Sequence, residues 1–260
     1  MSIVRVETSA GVCTATLADV ENRNALGREL VAGLREAVSA ANMDPGVRAL
    51  VVTNEGSTFC AGANLKERSG ARGGPAASSS GGFEELLQEI EASAKPVVGR
   101  IAGHVVGGGM GLAAALDISI AADDAKFGFT EVRLGVVPAI ISVVCLPKMR
   151  PGEAMEAFLR GHRFPAARAV ELGLINRAVP RDGLDAAIAE VLADLRAGGP
   201  RALSFARRLV HDVPRMSRKE AFAFTTKLSN ELFASEEAAE GMQAFLARRR
   251  PRWDADPDPG

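Results

Sequence analysis

Apolar and polar residues alternate over residues 3 to 8 and again over 12 to 17, with Gly11 between the two runs. A period of two marks strands with one buried face, so the chain is predicted to open with a hairpin. Over 27 to 41 the period changes: Leu30, Val31, Leu34 and Val38 recur at helical spacing, and Ala49 to Thr53 then read as a short buried strand. The order β-β-α-β predicts a mixed α/β core. Further along, a helix is expected over 83 to 93, a strand over Val97 to Ile101, a helix of small residues over 110 to 116 after Gly107-Gly108-Gly109, and a strand over 118 to 121. The strand, glycine turn and helix unit recurs along this half, which suggests successive turns of a coiled ββα arrangement. From residue 140 onward the pattern is helical, over 140 to 148, 152 to 160, 165 to 172, 183 to 197, 200 to 212, 217 to 234 and 236 to 249, with one strand near 175 to 179.

Between Glu67 and Gly82 the chain is nearly all Gly, Ala, Ser, Arg and Pro, too poor in large apolar groups to pack, and is expected to be a mobile loop. In the segment 217 to 234, Ala221, Phe222, Phe224, Leu228, Leu232 and Phe233 exceed what one helix stripe needs. That excess suits a subunit interface or a well-buried helix.

Composition narrows the functional classes. With 260 residues and 47% hydrophobic content the chain can bury a substantial core, as one large domain or a domain with an appendage. The formal net charge is -1 and the densest basic run, Arg248, Arg249, Arg250 and Arg252, is short, which argues against a nucleic-acid partner. Cys13, Cys60 and Cys145 are odd in number and widely spaced, a usage that fits buried thiols in a reducing compartment and no metal site. The first residues carry charges without a signal-like apolar stretch, and no segment approaches a membrane span, so a cytoplasmic location is expected.

Two segments share one physical form: an apolar strand delivers the chain to small residues, and a helix begins. They are Thr58 to Glu67 and Gly103 to Leu112. Glycines there let backbone approach a ligand, and the first-turn amides of the second helix are unpaired donors reinforced by the helix dipole. Together the two could form an oxyanion hole; tight helix packing or a phosphate turn is the alternative reading of the glycine run alone.

A third segment, Ala125 to Pro138, follows at suitable distance. With Asn22-Arg-Asn-Ala-Leu26, Phe59-Cys-Ala-Gly-Ala-Asn-Leu-Lys66, Gly107-Gly-Gly109, Leu116-Asp-Ile118, Glu131-Val-Arg-Leu-Gly135, Ala169-Val-Glu-Leu-Gly-Leu-Ile175 and Glu240-Gly-Met-Gln-Ala-Phe245, the chain resembles the crotonase (enoyl-CoA hydratase/isomerase) family from about residue 3 to 253. The resemblance implies an α/β fold, a crotonase-like ββα spiral core over 1–198 with the acyl-CoA site, and a C-terminal helical oligomerisation region over 199–260, assembled as a homotrimer or a dimer of trimers. No cofactor is implied beyond the coenzyme A carried by the substrate. Ala63 and Gly108 match the family's two oxyanion amides, each worth about 2.7 to 4 kcal/mol where enolate charge develops. For the phosphates of CoA, Arg23, Lys66 and the basic tail near Arg249 are candidates, with a solvated surface charge as the alternative for each. The backbone around Ala61, Ala63 and Leu65 matches the strand that recognises adenine. Phe245 matches an aromatic position that closes over the nucleotide, though core packing explains it equally well.

Hydration of an α,β-unsaturated thioester is served in well-known members by paired carboxylates, one activating water at C3 and one protonating C2. Glu131 falls on the acid at C2, whereas the partner position is Gly111. Asp117 stands too far along the helix to substitute and is expected to cap or bond locally. One base suffices for double-bond migration, which favours a Δ3-Δ2 enoyl-CoA isomerase. The combined motifs also look like a branch that includes hydratases of branched glutaconyl-type CoA esters, where the same glutamate is absent and Glu131 with a held water serves both proton transfers. After Pro138 the usual small residues are replaced by Ala139-Ile-Ile-Ser142, which should reshape the acyl pocket; Ser142 orders a water or caps the helix. His104 is expected to be structural. The expected activity is thus enoyl-CoA hydratase-type, with the isomerase and a non-catalytic acyl-CoA-binding protein as rivals.

Overall fold

A computed structural model of the chain describes residues 2–70 and 82–254. The opening hairpin pairs β1 (Val4–Ser9) antiparallel with β2 (Val12–Leu17). Ala10 and Gly11, at φ +48° and +75°, both occupy the left-handed region that a tight two-residue hairpin demands. Helix α1 (Arg28–Met43) buries Leu30, Val31, Leu34 and Val38, as their spacing predicts. β3 (Ala49–Asn54) is buried along its whole length. The next elements are β4 (Thr58–Cys60), α2 (Leu65–Gly70), α3 (Phe83–Glu91), β5 (Val97–Ile101), β6 (His104–Val106), α4 (Gly108–Ala115), β7 (Ile118–Ala122) and β8 (Lys126–Gly128). A 3-10 turn over Glu131–Leu134 leads to α5 (Ala139–Cys145), α6 (Pro151–Arg160), β9 (Phe164–Pro165), α7 (Ala166–Glu171) and β10 (Arg177–Val179). Four helices close the chain: α8 (Leu184–Ala197), α9 (Pro200–Asp212), α10 (Arg218–Phe233) and α11 (Glu236–Leu246).

The strands form two sheets, β1-β2-β3-β5-β7-β10 and β4-β6-β8-β9. Each turn of the spiral lays one strand in the large sheet and the next in the small one: β3 then β4, β5 then β6, β7 then β8. β2, β3, β5, β7 and β10 run parallel, and so do β4, β6 and β8. The expected ββα coil is therefore present. The small sheet escapes a reading by period because its strands hold two or three residues each, too few to show one. It also sets the site: β4 and β6 lie side by side, so the turns that follow them emerge next to each other.

The main core fills the space between the large sheet, α1, α3, α4 and the small sheet, with Phe59, Phe127 and Phe129 fully buried. A second cluster packs Leu184, Ala187, Ile188 and Val191 of α8 on Val51, Val98 and Ile120, covering the opposite face of the sheet.

Three expectations need correction. The stretch from Glu67 begins as helix, because Asn64 Oδ1 accepts from the backbone N–H of Lys66 and Glu67 (3.1 and 3.3 Å) and caps α2; the remainder, 71–81, lies outside the described residues. Asp117 does not bond locally: its Oδ2 accepts from Val97 N at 2.7 Å and from Arg207 Nε at 2.6 Å, tying α9 to the start of β5. Helix α11 stops at Leu246, where Arg248 turns left-handed at φ +51° and Arg249 folds back onto Glu240. The three cysteines are free and buried, as expected. No helix among the described residues is long and apolar enough to cross a membrane.

Candidate active site

The site is built where the turn after β4 meets the start of α4. Gly62 adopts φ +83°, and a β-carbon there would lie 2.8 Å from Gly108 N and 3.0 Å from Val106 O. Gly107, at φ +56° and ψ −130°, donates its N–H to Gly128 O (3.0 Å) and turns the chain into α4. Only glycine adopts such angles without strain. Gly109 packs on the backbone of Cys60, which closes the two turns on each other.

This leaves the amides of Ala63 and Gly108 side by side: a β-carbon on Gly108 would lie 3.7 Å from Ala63 N. The N–H of Ala63 has no acceptor among the described residues, and that of Gly108, at the first position of α4, has none within its helix. Both residues are half-exposed. The segment 22–26 braces the first turn from behind. Leu26 N donates to Gly62 O (2.7 Å), Ala61 N to Arg23 O (3.1 Å), and the fully buried Asn24 sends Nδ2 to Thr58 O (2.7 Å) and Glu55 O (3.3 Å).

Glu131 approaches from β8. Phe129 packs on Phe158 of α6 at 4.5 Å between ring centroids and anchors the segment, after which the 3-10 turn aims the carboxylate at the glycine run. Glu131 Oε1 lies 3.7 Å from where a β-carbon of Gly107 would be, and Oε2 is buried without a hydrogen-bond partner among the described residues. Burial holds this carboxyl above the usual glutamate range, because it strips water from the charged form. The arrangement can therefore hold or release a proton directly beside two free amide donors.

Position 111 holds no carboxylate, and the structure gives the reason. A β-carbon on Gly111 would lie 2.3 Å from Ile141 Cγ2, on α5. Pro138 is buried and Ala139 exposed at the start of that helix; Ser142 Oγ donates to Ala139 O at 2.6 Å instead of capping the helix.

The remaining predicted residues are spread around this centre. Ala61 uses its N–H on Arg23 O, Leu65 is exposed at the first position of α2, and Lys66 Nζ donates to Asn22 Oδ1 at 2.9 Å. Arg23 is exposed and left-handed, at φ +55°. The guanidinium of Arg249 bonds both oxygens of Glu240 at 2.7 and 3.1 Å. Phe245 is 82% exposed, so core packing does not explain it. His104 Nδ1 accepts from Lys126 N (3.1 Å), a structural role. Burial pushes the Cys60 and Cys145 thiols up to about 12, so neither is poised as a nucleophile. Three further residues shape the site without a sequence signal of their own: Leu26 and Asn24 brace the first turn, and Ile141 fills the space at Gly111.

Comparison with known proteins places the chain in a family. The family model described as "Enoyl-CoA hydratase/isomerase" matches residues 7–256, and the chain belongs to that family. It is 32% identical over 236 residues to "Enoyl-CoA hydratase EchA19" of Mycobacterium tuberculosis, covering 89% of this chain and 88% of that protein. Among solved structures it superposes on AtuE of Pseudomonas aeruginosa with a TM-score of 0.91, at 31% identity over 97% of this chain and 99% of the other. The enoyl-CoA hydratase of Bacillus anthracis gives a TM-score of 0.91 at 27% identity, again over 97% of this chain and 99% of that one. The architecture is thus that of crotonase-fold proteins.

Proposed function

We propose that the chain is an enoyl-CoA hydratase-type enzyme acting on an α,β-unsaturated acyl-CoA, with Ala63 and Gly108 donating to the thioester oxygen and Glu131 moving the proton at C2. The observation that carries this reading is the partnerless, buried Oε2 of Glu131 beside the two adjacent amides. Water oxygen adds to C3, the C2–C3 π electrons move toward the carbonyl, and the enolate oxygen takes its charge between the two N–H groups. Glu131 gives its proton to C2, and its carboxylate recovers one from the added water, so the enzyme returns unchanged. A carboxyl whose hold on its proton is strengthened by burial is suited to the first transfer.

The closed space at Gly111 favours a second reading, a Δ3-Δ2 double-bond shift. Here the Glu131 carboxylate removes a proton from C2 of a 3-enoyl thioester and returns it to C4, with no water consumed. Incubation with a 2-enoyl-CoA and with a 3-enoyl-CoA, followed by separation of products, distinguishes the two. Glu131→Gln keeps acyl-CoA affinity and loses turnover under either; a binding protein shows no turnover before or after the change.

The acyl-CoA site is assigned to 1–198, and 199–260 to contacts between copies in a homotrimer or a pair of trimers. Phe222 and Phe233 of α10, 62% and 70% exposed, support that assignment. Sedimentation of the full chain tests it.

A further inference from the structure

We propose that Ile141 sets the balance between adding water and shifting a double bond in this site, by keeping the face of α4 beyond Gly108 closed and apolar. The inference rests on the acyl-CoA reading above. Positions 107 and 108 face the site, since their β-carbons would point to Glu131 Oε1 and Ala63 N, each at 3.7 Å. Residue 111 follows them by four and three, so it lies one turn further along the same helix face.

There the space is filled. A β-carbon on Gly111 would stand 2.3 Å from Ile141 Cγ2, 2.7 Å from its Cβ and 3.4 Å from its Cα. Gly111 is buried and Ile141 is 3% exposed, so the isoleucine has no solvent to retreat into. Its intruding atom is also the β-branch, which is held close to the backbone and stiff at χ1. Any side chain at 111 would begin inside Ile141. The two residues therefore act as a unit, in which the glycine exists because the isoleucine occupies its side-chain volume.

The chemical consequence follows from what each reaction needs. Addition of water requires a water ordered by polar partners and relieved of a proton as it meets C3. A methyl group supplies neither function. Transfer of a proton from C2 to C4 through Glu131 uses no water and is unaffected by an apolar wall. Ile141 thus weighs against hydration without touching the amides or the carboxylate.

Two variants test this. Ile141→Thr keeps the β-branch and puts a hydroxyl on it, and the pair Gly111→Glu with Ile141→Gly exchanges the methyl for a carboxylate on the facing turn. For each, kcat/KM is measured for hydration of a 2-enoyl-CoA and for the shift of a 3-enoyl-CoA, alongside affinity for a saturated acyl-CoA and far-UV circular dichroism. The expected result is a higher ratio of hydration to shift in Ile141→Thr, whose hydroxyl can partner a water, and a rise in hydration of about 100-fold in the paired variant, the contribution of one added general base. Folded variants that bind the saturated acyl-CoA like the parent, yet change both rates by the same factor or neither, overturn the proposal. A parent chain that does not bind acyl-CoA overturns the reading of the site itself, and that failure is visible before any variant is made.

Discussion

Gly109 and Cys60 touch through their backbones: a β-carbon on Gly109 would lie 2.5 Å from the Cys60 carbonyl oxygen and 2.8 Å from its Cβ. That contact holds the end of β4 against the first turn of α4, and it is what keeps the amides of Ala63 and Gly108 adjacent. Gly109→Ala should force the two turns apart. The expected effect is a loss of about 1 to 3 kcal/mol in stability, the usual penalty of overpacking, with a larger proportional loss of turnover. Urea unfolding and acyl-CoA turnover of the same preparation check both.

Gly111→Ala meets a side chain instead of backbone, so its penalty should be relieved by a change at its neighbour. A double-mutant cycle with Ile141→Gly is expected to return a coupling energy of about 1 kcal/mol or more, since the two residues are in contact. Additive effects would show that the clash is absorbed elsewhere.

The buried pair of Arg207 with Asp117 fastens the C-terminal helices to the spiral. Arg207 also donates to Ile90 O at 2.9 Å and to Ser93 O, so its guanidinium is satisfied only in place. Asp117→Ala leaves that charge buried without its counter-ion and is expected to cost roughly 3 to 5 kcal/mol. Thermal unfolding measures it.

Burial of Glu131 has a consequence for pH dependence. Its folded-state pKa is raised, so the folded chain holds this proton more tightly than the unfolded chain. Stability from this group is fully present below the ordinary glutamate value and is lost as pH rises through the raised one. Glu131→Gln should therefore match the parent in stability at low pH and exceed it above that window. Equal stability at every pH would mean that the carboxylate is solvated.

Much of this was legible in the sequence because local signals agreed with the fold. The period-two runs around Gly11 and the spacing of Leu30, Val31, Leu34 and Val38 placed β1, β2 and α1, and the motif residues Ala63, Gly108 and Glu131 do converge in space. Strands as short as β4, β6, β8 and β9 carry no readable period, so the small sheet that aligns the two glycine turns was hidden. The contact between Gly111 and Ile141 spans thirty positions of chain and depends on how α5 crosses α4, which no single-chain pattern encodes. Asn64 turns the start of a low-complexity stretch into helix by capping it, a local signal that the poor apolar content of the stretch masks.

The central claim is that two backbone amides share the oxygen of a bound thioester. Isotope-edited infrared difference spectroscopy of an acyl-CoA bound to the Glu131→Gln variant reads that oxygen directly. The account predicts a thioester carbonyl stretch moved to lower frequency than in water, because two aimed donors polarise the bond more than solvent does. A stretch at the frequency of the free thioester, with binding established, would contradict it.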